Sequence, residues 1–199
     1  MVSLVVQAGG ESRRMGRNKA LVPFLGRPLV QRVLERLRPL ADEVLITTNL
    51  REGFEDLGVP LVADAFPGLG ALGGLYTAVW AASHPLVIVV ACDLPFANAD
   101  LLRYQLDLLE REALDVVIPG SLERREPLHC VYRKETCLPH IKSALVQGEK
   151  RLISWFPHVK VRFVPPEELQ QFDPLGLAFQ NINSQDELEK AEALALRLD

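Results

Sequence analysis

Leu4-Val5-Val6-Gln7-Ala8-Gly9-Gly10-Glu11-Ser12-Arg13-Arg14-Met15-Gly16-Arg17-Asn18-Lys19 joins an apolar run directly to a glycine-rich, basic segment. Leu4–Val6 has the composition of a buried strand. The residues after it have the composition of an anion cradle. Glycine lets a backbone approach a ligand closely, and N–H groups exposed in a tight loop favour phosphate oxygens. Arg13, Arg14 and Lys19 add formal positive charge to that loop. A strand that ends in such a loop suits a nucleoside triphosphate.

Two better-known phosphate loops are excluded by spacing. Lys19 is followed by Ala20, not by the Ser or Thr of a Walker A loop. Gly9, Gly10 and Gly16 do not fit the G-x-G-x-x-G dinucleotide fingerprint, and no helix is expected directly after them. Pro23, Gly26 and Pro28 instead predict an extended loop before the first helix.

Beyond this segment, apolar strand-like runs alternate with helical periodicity. Strands are expected at Leu4–Val6, Glu43–Thr48, Leu61–Ala63, Leu86–Ala91, Val116–Ile118 and His129–Tyr132. Helices are expected at 28–37, 72–82, 99–111, 136–146 and 184–196. Leu86–Ala91 is continuously apolar, as suits a central strand covered on both faces. Ser184 and Glu187 form a capping-box pattern at the start of the last helix. This alternation predicts an α/β fold: a mostly parallel central sheet with helices on both faces and right-handed crossovers. Ligands of such sheets sit beyond the carboxyl ends of the strands. The segments there would be the loop up to Lys19, Asn49, Asp64 and Asp93. Residues 170–176 read as the most mobile surface loop.

Bulk properties narrow the function. The chain has 199 residues, 48% of them hydrophobic and 24% charged, which suits one domain spanning 1–199. A net charge of −4 argues against broad nucleic-acid binding and for a small anionic ligand held locally. No signal peptide is expected, and the longest apolar run is too short to span a membrane. Cys92, Cys130 and Cys137 are odd in number and irregular in spacing. They fit neither a disulfide framework nor a zinc site, so a reduced, cytoplasmic protein is expected.

Asp93, in Cys92-Asp93-Leu94-Pro95, follows the central strand directly. A carboxylate there can hold Mg²⁺ with water and phosphate completing the shell, or it can simply cap a turn. In Asn181-Ile182-Asn183-Ser184, Ser184 reads as a helix cap. Asn183 can offer an oxygen to a metal or a donor to phosphate. The glycines of Pro67–Leu75 suit either a nucleotide lying on the backbone or close helix–sheet packing. Arg124, Arg125 and Gly148–Arg151 are either solvated charge or contacts to an acidic substrate. His84, His129, His140 and His158 have no ligand spacing and carry no assigned chemistry.

In order along the chain, these segments resemble the molybdenum cofactor guanylyltransferases. Residues 8–19 resemble that family's A-G-G-x-S-x-R-M-G-x-D-K signature, and Pro67–Gly74 its P-G-x-L-x-G segment. Cys92–Pro95, Pro127-Leu128, Gly148–Arg151 and Asn181–Ser184 continue the series. The resemblance implies a Rossmann-like nucleotidyltransferase fold. It implies transfer of GMP from Mg-GTP to molybdopterin with release of pyrophosphate, and contact with molybdoenzyme maturation proteins. By position, Gln7, Ala8, Gly9 and Gly10 would contact the nucleotide, and Asn49 and Asp64 would lie near guanine and ribose. Arg13 and Lys19 would act on the phosphates. Asp93 would bind Mg²⁺, with Asn183 beside it. The chain departs from the family at Gln7, where Leu is usual, and at Asn18, where Asp is usual. Two other readings fit the residues: a relative using CTP or another phosphorylated acceptor, and a non-catalytic nucleotide or pterin carrier.

Overall fold

The computed structural model describes residues 1–9, 18–120 and 125–198. At its centre β1 (Val2–Gln7) runs parallel to β4 (Glu43–Thr47) on one side and to β6 (Leu86–Ala91) on the other. Beyond β4 lies the short parallel β5 (Leu61–Val62). Beyond β6 come β8 (His129–Arg133), β7 (Val116–Pro119) and β9 (Val161–Val164), giving a seven-stranded sheet in the order β5-β4-β1-β6-β8-β7-β9. β8 is antiparallel to both of its neighbours. The sheet is therefore mostly parallel, as expected, with one reversed strand that sequence period does not reveal.

Alternation along the strands explains the two layers. Leu4 and Val6 of β1 pack with Val30, Val33, Leu34 and Leu37 of α1 (Leu29–Leu37) and with Leu102, Leu108 and Leu109 of α3 (Ala99–Arg111). Val5 faces the other way, with Leu72, Leu75 and Val79 of α2 (Gly70–Ala81) and Ile141 and Leu145 of α4 (Lys134–Val146). Val87, Ile88, Val89 and Val90 are wholly buried because both faces of β6 are covered. Burial of each such side chain contributes about 1.5–3 kcal/mol.

The chain lays β4 and β5 on one side of β1 before returning to place β6 on the other. Strand order therefore reverses between β1 and β6, and the crevice of an α/β sheet opens at such a point. Gln7 and Ala91 are paired there, with Asp93 two residues further on.

A third, smaller cluster closes this end. It gathers Val22, Phe24, Leu29, Phe96, Ile182, Leu188, Ala191 and Ala195, the last three from α6 (Gln185–Leu198). The extended loop expected before α1 is instead a small hairpin of β2 (Pro23–Phe24) and β3 (Arg27–Pro28). Its turn residues, Leu25 and Gly26, both have positive φ, 48° and 77°. That backbone suits a two-residue hairpin and is strained at leucine.

Residues 170–176 follow α5 (Pro166–Leu169) and make several contacts. Phe172 stacks on Tyr104 at 4.8 Å, and Asn98 Nδ2 donates to the Phe172 carbonyl at 2.8 Å. The Asp173 carboxylate accepts from the N–H groups of Leu177 and Ala178. Among the described residues, no helix is long and apolar enough to cross a membrane. Cys92, Cys130 and Cys137 are free and buried.

Candidate active site

Three distant segments meet at the crevice. Lys19 opens a short 3-10 turn, Lys19–Leu21, whose start is capped by Asn18. The Asn18 side-chain oxygen accepts the N–H of Ala20 at 3.1 Å. Asparagine thus supplies the acceptor such a cap needs without a carboxylate. Lys19 Nζ donates to Asp93 Oδ2 and, at 2.7 Å, to Asn183 Oδ1. The Lys19 and Asp93 side chains are largely buried, 14% and 16% exposed, so this charge pairing is shielded from water.

Asp93 is held by its backbone as well. Its carbonyl accepts the N–H of Ile182 at 3.1 Å, which brings Asn183 alongside. The next residues form a true capping box: Glu187 N–H donates to Ser184 Oγ, and Glu187 Oε2 accepts the N–H of Ser184. The same Oε2 accepts the N–H of Asn183 at 2.5 Å. Glu187 therefore fixes Asn183 as well as the helix start. Its capping role was legible in the sequence, but its hold on Asn183 was not.

Asp93 Oδ1 is buried and makes no hydrogen bond to a described residue. Asp93 Oδ2 and Asn183 Oδ1 already converge on one cationic atom. Hard oxygen donors converging in this way, with a carboxylate oxygen to spare, fit a divalent cation such as Mg²⁺. Cys92, immediately before Asp93, is no nucleophile. Burial first, and the Asp93 charge second, push its thiol up to about 12.

Asn49 and Asp64 also meet, at the ends of neighbouring strands: Asp64 N–H donates to Asn49 Oδ1 at 2.8 Å. Asp64 Oδ1 accepts from Phe66 N–H at 3.0 Å and from Thr77 Oγ at 2.8 Å, fixing the entry to α2. Gln7, last in β1, turns its side chain toward α2. It is buried, its Nε2 has no partner among the described residues, and it lies against Gly74. Gly74 therefore serves close helix–sheet packing, while Gly68 and Gly70 adopt positive φ with open space where a Cβ would be. Ala8 is fixed by its N–H bond to the Thr47 carbonyl at 2.9 Å, and Gly9 is exposed beyond it. Gly10 and Arg13, and with them Arg124, lie outside the described residues.

His129 does structural work. It is wholly buried, and its Nε2 accepts the N–H of Asn98 at 3.0 Å. Arg125 forms a bridge with Gly120 and stacks its guanidinium on Phe163 at 5.8 Å. Gly148 adopts positive φ and donates to Leu145 at the end of α4, and Glu149, Lys150 and Arg151 are exposed beyond it.

Comparison with known proteins gives a consistent result. Residues 4–161 match the family model of the MobA-like NTP transferase domain. A protein of Pelotomaculum thermopropionicum named probable molybdenum cofactor guanylyltransferase is 35% identical, over 96% of this chain and 92% of its own. The molybdenum cofactor guanylyltransferase of Desulfosudis oleivorans is 34% identical, over 96% and 95%. Among solved structures, molybdopterin-guanine dinucleotide biosynthesis protein A from Archaeoglobus fulgidus superposes with a TM-score of 0.83 at 26% identity, covering 98% of this chain and 99% of that one. The 2-C-methyl-D-erythritol 4-phosphate cytidylyltransferase of Thermus thermophilus shares the fold, with a TM-score of 0.71 at 21% identity over 96% and 98%.

Proposed function

This chain belongs to the family of MobA-like NTP transferases, and on that premise we propose that it transfers GMP from GTP to molybdopterin, releasing pyrophosphate. The observation that carries the reading is the meeting of Lys19, Asp93 and Asn183 at the point where strand order reverses. The names of its full-length relatives supply the nucleotide and the acceptor. On this reading residues 1–199 act as a single nucleotidyltransferase domain in the cytoplasm and hand the product to molybdoenzyme maturation proteins.

In the reaction, a phosphate oxygen of molybdopterin forms a bond to the α-phosphorus of GTP. The bond from that phosphorus to the bridging oxygen of pyrophosphate breaks. The attacking oxygen is already anionic, so no strong general base is needed, and the buried His129 is free to be structural. The chain's task is to position two anions and offset their charge. Lys19 supplies a fixed cation to the phosphates. Gln7, Ala8 and Gly9 would contact the nucleotide; by sequence position Gly10 would join them and Arg13 would add positive charge toward the phosphates. Asn49 and Asp64 sit toward base and ribose. Asp93 and Asn183 would hold Mg²⁺, which supplies further charge neutralisation on the phosphates when bound.

Lys19→Ala is expected to weaken GTP binding, and Asp93→Ala to abolish pyrophosphate release with the fold intact by circular dichroism. Normal turnover in both variants would overturn the site. The Thermus cytidylyltransferase shares the fold, so the fold does not choose the nucleotide, and competition between GTP and CTP separates the two readings.

A further inference from the structure

We infer that Glu192, on α6 and outside the span matched by the family model, is a positioning residue for Lys19. The inference rests on the proposed role of Lys19 in binding nucleotide phosphates. Glu192 Oε1 accepts the backbone N–H of Leu25 at 2.6 Å across 167 positions of sequence. Leu25 is the residue forced to positive φ at the tip of the β2–β3 hairpin. A leucine in that region persists only where its surroundings over-determine it. Among the described residues, two charged groups hold its backbone: Glu192 on the N–H, and Arg32, whose Nη2 donates to the Leu25 carbonyl at 3.0 Å, while the Leu25 side chain packs on the small apolar cluster.

From Leu25 the restraint runs back to Lys19. Arg32 Nε donates to the Phe24 carbonyl at 3.3 Å. Leu29 N–H donates to the Val22 carbonyl at 3.0 Å, and Val22 N–H donates to the Lys19 carbonyl at 3.2 Å. Apolar packing supports the same path. Phe24 meets Phe96 edge-on at 5.9 Å, three residues after Asp93, and Ile182 beside Asn183 joins the same cluster. Every member of the Lys19–Asp93–Asn183 group therefore sits close in sequence to a residue of one small core that α6 completes. Glu192 is the polar tie that pins the lysine-bearing arm of that core to α6.

A double-mutant cycle on GTP affinity tests this. Glu192→Ala is expected to weaken GTP binding by roughly tenfold, as loss of a hydrogen bond to a charged group allows. In a Lys19→Ala background the same change is expected to cost less than about twofold, because the group it positions is gone. Glu192→Gln keeps an acceptor and is expected to restore most of the affinity. Unchanged GTP affinity in Glu192→Ala overturns the inference. A full tenfold loss on top of Lys19→Ala also overturns it, because the effect is then general destabilisation. Should Lys19→Ala bind too weakly to titrate, hydrogen exchange of the free protein decides. Glu192→Ala is expected to speed exchange at Val22, Leu25 and Leu29 while leaving β1 and β6 protected, and unchanged exchange there overturns the inference. A wild-type chain that binds no GTP overturns the proposed function itself, and is seen before any variant is made.

Discussion

Gly74 lies directly against Gln7: a Cβ added at position 74 would stand 3.1 Å from Gln7 Nε2. The glycine on α2 and the amide at the end of β1 are thus one packing unit under the crevice floor. Gly74→Ala gains about 1 kcal/mol of helix propensity inside α2 but presses on Gln7 Nε2, so the two effects are expected to offset to within about 1 kcal/mol. In a Gln7→Ala background the contact is gone and the same change is expected to stabilise by about 1 kcal/mol. Urea denaturation of the four proteins measures the coupling. Equal effects in both backgrounds would show that the two residues do not press on each other.

His129 makes stability fall in mild acid. Burial holds its imidazole neutral, with the pKa lowered from 6.5 to about 4. The unfolded chain takes up a proton below about 6.5 while the folded chain resists it, so stability is complete above 6.5 and declines toward 4. The full loss is roughly 3 kcal/mol across that window. Unfolding free energies at pH 7.5 and 4.5 are expected to differ less in His129→Gln than in the wild type. Parallel pH profiles for the two proteins would assign the acid sensitivity elsewhere.

Ser184→Ala removes the acceptor for Glu187 N–H at the start of α6. It is expected to cost about 1 kcal/mol of stability, the usual worth of an N-cap. Because Glu187 also holds Asn183, metal-dependent nucleotide affinity is expected to fall with it. Thermal unfolding and a GTP titration on one preparation check both effects. Loss of stability with unchanged affinity would separate the cap from the site.

Much of this was legible in the residues themselves. Leu86–Ala91 and Ala99–Arg111 were readable to the residue, because a continuous apolar run and a clean helical period leave little choice. Asp93 was readable because it follows the central strand directly. The reversed direction of β8 was not, since His129–Tyr132 is apolar enough for either orientation in a covered sheet. The β2–β3 hairpin was hidden by two-residue strands containing Pro23 and Pro28, and by a leucine where a turn would favour glycine or asparagine. β9 is not legible because Arg162 interrupts a four-residue strand at the sheet edge. The meeting of Asn183 and Lys19 spans 164 positions and depends on Ile182 docking on the Asp93 carbonyl. No local pattern encodes that contact, and none encodes the reach of Glu192 to Leu25.

Guanylyl transfer in this crevice requires that it bind GTP. Calorimetric titration of the full chain with GTP, CTP, ATP and UTP in the presence of Mg²⁺ tests it most directly. Selective GTP binding, weakened in Lys19→Ala, is expected. Preference for CTP, or no binding of any nucleotide by the folded protein, would contradict it.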